Sequence, residues 1–146
     1  MNVDIMVLRN EEMTIDGITL LSIEEYNKYK ENIPSSTGCW WLRSPGYNSD
    51  DRATVVNTDG SVDYLGEDVD YSIYRVRPVL KISNHNLKVK NRLEFKNYLW
   101  TVISENLAIC DTFIGRYCFR KNRVGENAND YNTSDIKKYI EDWLYN

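Results

Sequence analysis

Residues 39–82 read CWWLRSPGYNSDDRATVVNTDGSVDYLGEDVDYSIYRVRPVLKI, and this stretch decides the fold. It holds half of the tryptophans of the chain and two of its three prolines. Successive side chains of a strand point to opposite faces, so adjacent Trp40 and Trp41 should enter two different layers. One indole must lie in the core and the other under a neighbouring element. We therefore predict that this stretch forms the packed centre of a small mixed domain.

A second feature of the stretch is Asp59-Gly60, which separates two β-branched runs at residues 53–58 and 61–65. An Asp-Gly pair in this setting predicts a two-residue hairpin turn. The expected register places Val55 opposite Tyr64 and Asn57 opposite Val62, with Tyr64 directed into the core. Glu67 to Ser72 is expected to be a polar loop.

The rest of the chain predicts further strands and two amphipathic helices. Ser22 followed by Glu25 is a capping box, so a helix should start at Ile23 and run to Ile33 before Pro34. The last helix should be capped at Thr133 or Ser134. Pro78 lacks an N–H and favours a sheet edge or a bulge within its strand. The other predicted strands cover residues 3–8, 18–21, 40–42, 74–83, 93–95, 98–103 and 107–110, with a turn at Asp16-Gly17. The expected class is α+β, with small, mostly antiparallel sheets.

Length and composition favour one domain that carries its own core. The chain has 146 residues, of which 42% are hydrophobic and 27% charged. The start of the chain lacks a signal-peptide core, and no run of 18 apolar residues occurs, so we expect a cytoplasmic protein without a membrane span. The three cysteines are expected to be reduced packing residues.

Negative charge is concentrated in the centre of the chain. Residues 47–74 contain seven acids and one base, a net charge of −6, whereas the remainder carries a net charge of +2. Such a surface repels phosphates, so direct nucleic-acid binding is not expected.

Four motifs resemble a widespread bacterial and phage domain family of unknown function. They are WWLRSPG at 40–46, the hairpin NTDGSV at 57–62, YRVRPVL at 74–80, and LLSIEEYNKY at 20–29. Arg75 stands where that family usually has glycine. Residues 84–146 are similar to the opening half of the same domain, which usually precedes the WWLRSPG half. The resemblance therefore implies a single domain whose halves, 1–83 and 84–146, are in circularly permuted order, or a fragment taken across two tandem copies. It also implies a C-type-lectin-like fold, similar to the formylglycine-generating enzyme and to retroelement variable proteins, which display Asn, Tyr, Ser and Asp for binding.

Catalytic and metal-binding patterns are weak in this sequence. Cys110 and Cys118 lack the motif of an oxidase pair, and Cys39 or Cys118 could act with His85 only if the fold joined them. The acid pairs at 50–51 and 67–68 favour a solvated loop over calcium binding or glycoside hydrolysis. We expect no enzyme activity, no cofactor and no metal. Cation–π stacking and ion pairing better account for Arg43, Arg75 and Arg77 than anion recognition does.

The expected function is therefore binding through exposed side chains, because tyrosine with short polar residues is typical of binding loops. The expected contact residues are Tyr47, Asn48, Asp50, Asp51, Asp63, Glu67, Asp68, Asp70, Tyr71 and Tyr74. The expected structural residues are Trp40, Trp41, Arg43, Arg77 and Pro78. The first hypothesis is a non-enzymatic binding module for a protein with a basic surface or for a small ligand. The alternatives are a phage-type inhibitor whose acids mimic nucleic acid in the groove of a defence enzyme, and an enzyme with a cryptic site. A homodimer is left open.

Overall fold

The computed structural model describes residues 5–7, 13–83 and 87–146. In this part of the chain eleven strands and two α-helices follow one another, with a short 3₁₀ turn at Lys30–Asn32 and another at Tyr131–Thr133. The elements are β1 Ile5–Val7, β2 Thr14–Thr19, α1 Ile23–Tyr29, β3 Trp40–Pro45, β4 Arg52–Val56, β5 Val62–Asp68, β6 Arg75–Val76, β7 Val79–Ser83, β8 Arg92–Phe95, β9 Tyr98–Ser104, β10 Leu107–Cys110, β11 Gly115–Arg116 and α2 Asp135–Tyr145. The protein is a mixed α/β structure with two sheets and two helices.

The six-stranded sheet has the order β1-β8-β9-β10-β7-β2. Only β1 runs parallel to its neighbour, and the other pairs are antiparallel. The three strands that follow residue 87 lie between β1 on one side and β7 and β2 on the other. Strands from before and after residues 84–86 therefore complete one another in this sheet.

The five-stranded sheet has the order β11-β6-β3-β4-β5. Its centre is β3, which pairs antiparallel with β4 and makes a short parallel contact with β6. The strand β11, from the later part of the chain, covers the free side of β6. At the opposite end β5 pairs with β4 only, so β5 is an edge strand.

The two adjacent tryptophans enter two separate apolar clusters, which confirms the predicted alternation. Trp41 is fully buried and packs edge-on against Phe119, in the cluster that α2 covers. Trp40 is 1% exposed and packs edge-on against Tyr26 of α1, in the second cluster. The strand β3 thus lies between both cores and fixes the two helices relative to the sheets.

The predicted capping box starts α1. Glu25 N donates to Ser22 Oγ (3.1 Å), and Ser22 N donates to Glu25 Oε1 (2.9 Å). The helix ends at Tyr29 rather than at Ile33, and one 3₁₀ turn follows. Ile33 is extended, with ψ of 123°, because the ring of the next residue, Pro34, disfavours the helical conformation.

The helix α2 begins at Asp135 and is capped by Ser134, whose Oγ accepts from Lys137 N (3.2 Å). Of the two predicted caps, Ser134 is therefore the one used. The predicted amphipathic character is confirmed: Ile136, Ile140 and Leu144 are buried on one face, and Tyr139 and Trp143 are partly buried.

Two predicted strands have different limits. Residues 74–83 form two strands in different sheets, β6 and β7, and the chain changes sheets at Arg77-Pro78. Pro78 thus lies at a break between strands, and β7 is flanked on both sides, which corrects the predicted edge position. The strand predicted at 18–21 is β2, and Asp16-Gly17 lies in an irregularity of that strand instead of a turn. The strands predicted in the later half are confirmed as β8, β9 and β10.

The hairpin between β4 and β5 is present with a different register. Val55 pairs with Asp63, and Val56 pairs with Val62. The turn is longer than two residues, because Asn57 N donates to the carbonyl of Ser61 (2.7 Å). Of the two turn residues only Gly60 has positive φ, whereas the predicted two-residue turn requires it at both. The strand β5 also continues to residue 68, so Glu67 and Asp68 are strand residues and not part of a loop.

Candidate functional site

Large apolar side chains are exposed mainly around the edge strand β5. Of the eight exposed large hydrophobic residues that the described ranges contain, five fall within residues 47–73. We use the name tyrosine edge for these five residues on β5 and in the loops beside β4 and β5, namely Tyr47, Tyr64, Leu65, Tyr71 and Ile73. Tyr64 is 52% exposed, which corrects its expected place in the core. The reason is its position on an edge strand.

The loop before β4 is fixed to β5 and to the later half of the chain. Tyr47 N donates to the carbonyl of Tyr64 (2.8 Å). The amide of Asn129, which is 5% exposed, donates to the carbonyls of Ser49 (2.7 Å) and Arg52 (2.9 Å). Asn129 thus holds the middle of the loop and the start of β4, and the bond to Tyr64 holds Tyr47, so Tyr47 is presented by an ordered backbone. Sequence reasoning missed Asn129, because it is one of several asparagines in a polar loop.

A close backbone approach shapes the middle of β5. Gly66 has φ of +85°, and a Cβ there would lie 2.8 Å from the carbonyl oxygen of Ala53. The pairing of β4 with β5 shifts its register between Ala53 and Val55. Glycine at this position allows the irregularity, which directly follows the exposed pair Tyr64 and Leu65.

Two of the predicted acids are bound by arginines. Arg123 Nε contacts Asp51 (2.8 Å), Arg123 Nη2 contacts Asp68 (3.1 Å), and Arg52 lies 3.5 Å from Asp68. The hydrogen bond from Arg123 lowers the pKa of Asp51 below its ordinary value. Arg123 was not predicted as a site residue, since it lies 72 positions from Asp51 and 55 from Asp68 in the sequence.

A second group of interacting side chains comprises Asp63, Glu67 and Tyr74. Burial raises the pKa of Glu67, and a hydrogen bond with Asp63 adds to the shift. Burial also raises the pKa of Tyr74 to about 12, helped by the charge of Glu67. Tyr74 is half-buried and packs edge-on against Trp41 with 5.0 Å between ring centroids. This tyrosine therefore supports the sheet and offers little contact area.

The ten predicted contact residues divide by exposure. Five are exposed, namely Tyr47, Asn48, Asp50, Asp70 and Tyr71. Five are half-buried, namely Asp51, Asp63, Glu67, Asp68 and Tyr74. The exposed group lies in the loops on either side of β4 and β5, and the half-buried group is held by contacts within the protein.

The predicted structural arginines have different partners. Arg43 Nη1 pairs with Glu25 and donates to the carbonyl of Leu20 (2.6 Å). The guanidinium of Arg77 lies 5.1 Å from the ring centroid of Trp40. That of Arg75 lies 5.5 Å from the ring centroid of Phe113.

A cavity of about 960 Å³ lies between β2, the start of α1 and residues 127–132. It is lined by the ion pair of Arg43 with Glu25 and by that of Lys137 with Glu141 (3.1 Å). These charges are compensated within the protein. The cavity has mixed polarity and no concentration of one charge.

The cysteines do not form a reactive group with one another. Cys110 and Cys118 are buried, and Cys39 is half-buried. Burial raises the pKa of Cys110 to about 11 and also raises that of Cys118. His85 lies outside the described residues, as does any pairing of a cysteine with it. Across residues 13–83 and 87–146, no three His, Cys, Asp or Glu side chains are grouped as a metal site.

The helices α1 and α2 are short, and within the described ranges no helix has the length and apolarity that a membrane crossing needs.

Fold and surface together define a small two-sheet α/β protein with an exposed, acid-flanked tyrosine edge. The model of one protein family, described as a domain of unknown function (DUF6273), matches residues 8–84. The chain belongs to this family. The matched segment includes β2 to β7, and with them both tryptophans of β3 and the whole tyrosine edge. No curated protein and no solved structure matches the chain.

Proposed function

We propose that the chain is a non-enzymatic binding module of C-type-lectin-like architecture that uses the tyrosine edge to bind a protein with a basic surface. The observation that carries the proposal is the concentration of exposed large apolar side chains around β5. Contiguous exposed apolar side chains on a monomeric protein mark interaction sites, and we propose that these five residues form such a surface. Tyrosine in particular is enriched at protein interfaces.

Hydrogen bonds hold the backbone that carries part of the tyrosine edge, and this favours binding by that surface. Asn129 holds the loop of Tyr47 through two backbone carbonyls, and the carbonyl of Tyr64 accepts from Tyr47 N. A contact surface that is ordered before binding loses less conformational entropy when a partner arrives. Rigid aromatic side chains on such loops supply large contact area at low entropic cost.

Charge supports a basic partner. Asp50 and Asp70 are exposed beside the apolar residues, and Asp63 with Glu67 adds negative charge on β5. Charges at the rim of an interface mainly increase the association rate and the selectivity, and their effect falls with salt. We therefore propose that the tyrosine edge supplies most of the affinity and that the acids select a lysine- or arginine-rich partner.

The alternative is a phage-type inhibitor that mimics nucleic acid. It requires that a basic groove can contact the six acids among the predicted contact residues, namely Asp50, Asp51, Asp63, Glu67, Asp68 and Asp70. Asp51 and Asp68 already share Arg123, which reduces the negative charge that such a groove would meet. The tyrosine-based proposal is preferred for this reason. A reducing cytoplasm is proposed as the compartment, since all three cysteines are unpaired.

The experiment uses a random peptide library displayed on phage, selected against the full chain at low salt. Two triple variants are compared with the wild type. One replaces Tyr47, Leu65 and Tyr71 by serine. The matched control replaces by serine the three exposed hydrophobic residues outside the tyrosine edge, Val89, Val124 and Tyr145. Enriched peptides should be rich in lysine and arginine, and their affinity should fall ~10-fold or more in the first variant and less than ~2-fold in the control.

Three outcomes would contradict the proposal. Equal binding by the two triple variants would exclude the tyrosine edge as the contact surface. Loss of binding only when the six acids are neutralised, with the tyrosines dispensable, would favour the inhibitor. A homodimer in light scattering that the first variant dissociates would show that a second copy, and not a basic partner, occupies the surface.

A further inference from the structure

Arg77 is a buried cation whose partners are neutral. Its side chain is among the largest fully buried ones, with 1% of the residue exposed. Nε donates to the carbonyl of Cys110 (2.7 Å), and Nη2 donates to the carbonyls of Pro34 (2.8 Å) and Asp111 (3.1 Å). The described residues provide no acceptor for the third nitrogen, Nη1.

No carboxylate contacts the guanidinium within the described ranges, although the charge of Asp111 acts on it from a distance and opposes the lowering of its pKa by burial. The carboxylate of Asp111 is directed instead to Arg92 (3.2 Å) and to the hydroxyl of Thr101. Burial lowers the pKa of Arg77 to about 10, so the guanidinium is still charged at neutral pH. Buried charges are usually paired, because an unpaired one loses its hydration without compensation.

Arg77 also lines a cavity of about 320 Å³. Trp40 forms part of its wall, and Ser35, Ser36 and Thr58 also line it. The volume is at the lower end of the range for small-molecule sites. The cavity joins the start of β3, the β4–β5 turn and the break between β6 and β7, which are three separate parts of the matched family segment.

We propose that this cavity is a binding site for a small molecule through its carboxylate or phosphoryl group, with Arg77 Nη1 as the charged donor. An oxyanion there would provide an acceptor for Nη1 and a directly contacting counter-charge together. Guanidinium groups are well suited to both kinds of oxyanion. The acids that line the cavity, Glu31 and Asp59, are solvent-exposed, so their repulsion is screened more strongly than the attraction of the buried cation. The site is separate from the tyrosine edge and does not depend on its function.

The test measures the melting temperature of the full chain in sodium phosphate and in sodium acetate, against sodium chloride of equal ionic strength. Ser35→Phe fills the cavity mouth at an exposed position. Thr37→Phe is the matched control, two residues away, exposed and outside the cavity lining. Thr58→Trp, on another exposed part of the wall, is a second blocking variant, and circular dichroism checks that each variant is folded.

At least one anion should raise the melting temperature of the wild type and of Thr37→Phe by about 4 °C at ten times its Kd. The rise should be absent in Ser35→Phe and Thr58→Trp, and it should persist in the serine variant of Tyr47, Leu65 and Tyr71. A response to phosphate alone assigns a phosphoryl ligand, and a response to acetate alone assigns a carboxylate. No response to either anion, or equal responses in the blocked and control variants, would overturn the proposal.

Discussion

Replacing Gly66 by alanine should destabilise the protein much more than the same change at Gly60. Both glycines have similar positive φ angles, +85° and +87°. An L-residue in this region costs about 1–2 kcal/mol, which both variants share. The change in unfolded-chain entropy is also shared. The comparison therefore isolates what the new methyl group contacts.

The contacts differ sharply. At Gly60 the nearest atom to the added Cβ is the hydroxyl of Tyr26 at 3.6 Å, an ordinary contact. At Gly66 it would lie 2.8 Å from the oxygen and 3.0 Å from the carbon of the Ala53 carbonyl, so β4 and β5 must move apart. Overpacking of this kind costs about 1–3 kcal/mol. We expect losses in the free energy of unfolding of about 1–2 kcal/mol for Gly60→Ala and about 2–5 kcal/mol for Gly66→Ala.

Urea unfolding followed by tryptophan fluorescence measures both variants, and equal m-values are needed for a direct comparison. Additive comparisons of unfolding free energies carry an error of about 0.5 kcal/mol. If the losses of the two variants differ by less than this, the close approach of Gly66 to Ala53 is refuted.

Three further predictions concern a helix cap and two carboxylates. Ser134→Ala should cost about 1 kcal/mol in urea unfolding, because α2 loses the acceptor for one amide of its first turn. Arg123→Gln should raise the pKa of Asp51 in an NMR titration. Because the lowered pKa gives stability that is lost as the pH falls through the folded-state value, this variant should lose less stability than the wild type below about pH 4. Glu67→Gln should act in the opposite direction. The raised pKa means that the ionised Glu67 destabilises the fold, so the variant should gain stability over the wild type as the pH rises from about 4 to 7, in thermal unfolding across that range.

Local signals predicted the parts of the fold that depend on neighbouring residues. Ser22 and Glu25 are three positions apart and form the predicted capping box. The alternation of Trp40 and Trp41 requires only that β3 be a strand. Both features depend on residues that are one to three positions apart, so the local sequence is sufficient to predict them.

The order of strands could not be predicted in the same way. Tyr64 was expected in the core, and it is exposed because β5 has a neighbour on one side only. Arg123 and Asn129 act on residues 55 to 80 positions away, so no local pattern marks them. Such contacts depend on which loops the sheets bring together. For the same reason the sequence did not show that Arg123 forms an ion pair with Asp51.

The mixing of early and late strands in both sheets has a practical consequence for handling this chain. A piece ending near residue 84 would leave β7 without β10 and β6 without β11, and open strand edges readily recruit other chains into aggregates. The same arrangement makes residues 84–86 a suitable place to divide the protein for a split-reporter assay. Two separately produced pieces would each lack the strands that the other supplies, so a signal from their reunion would report that both sheets had been rebuilt.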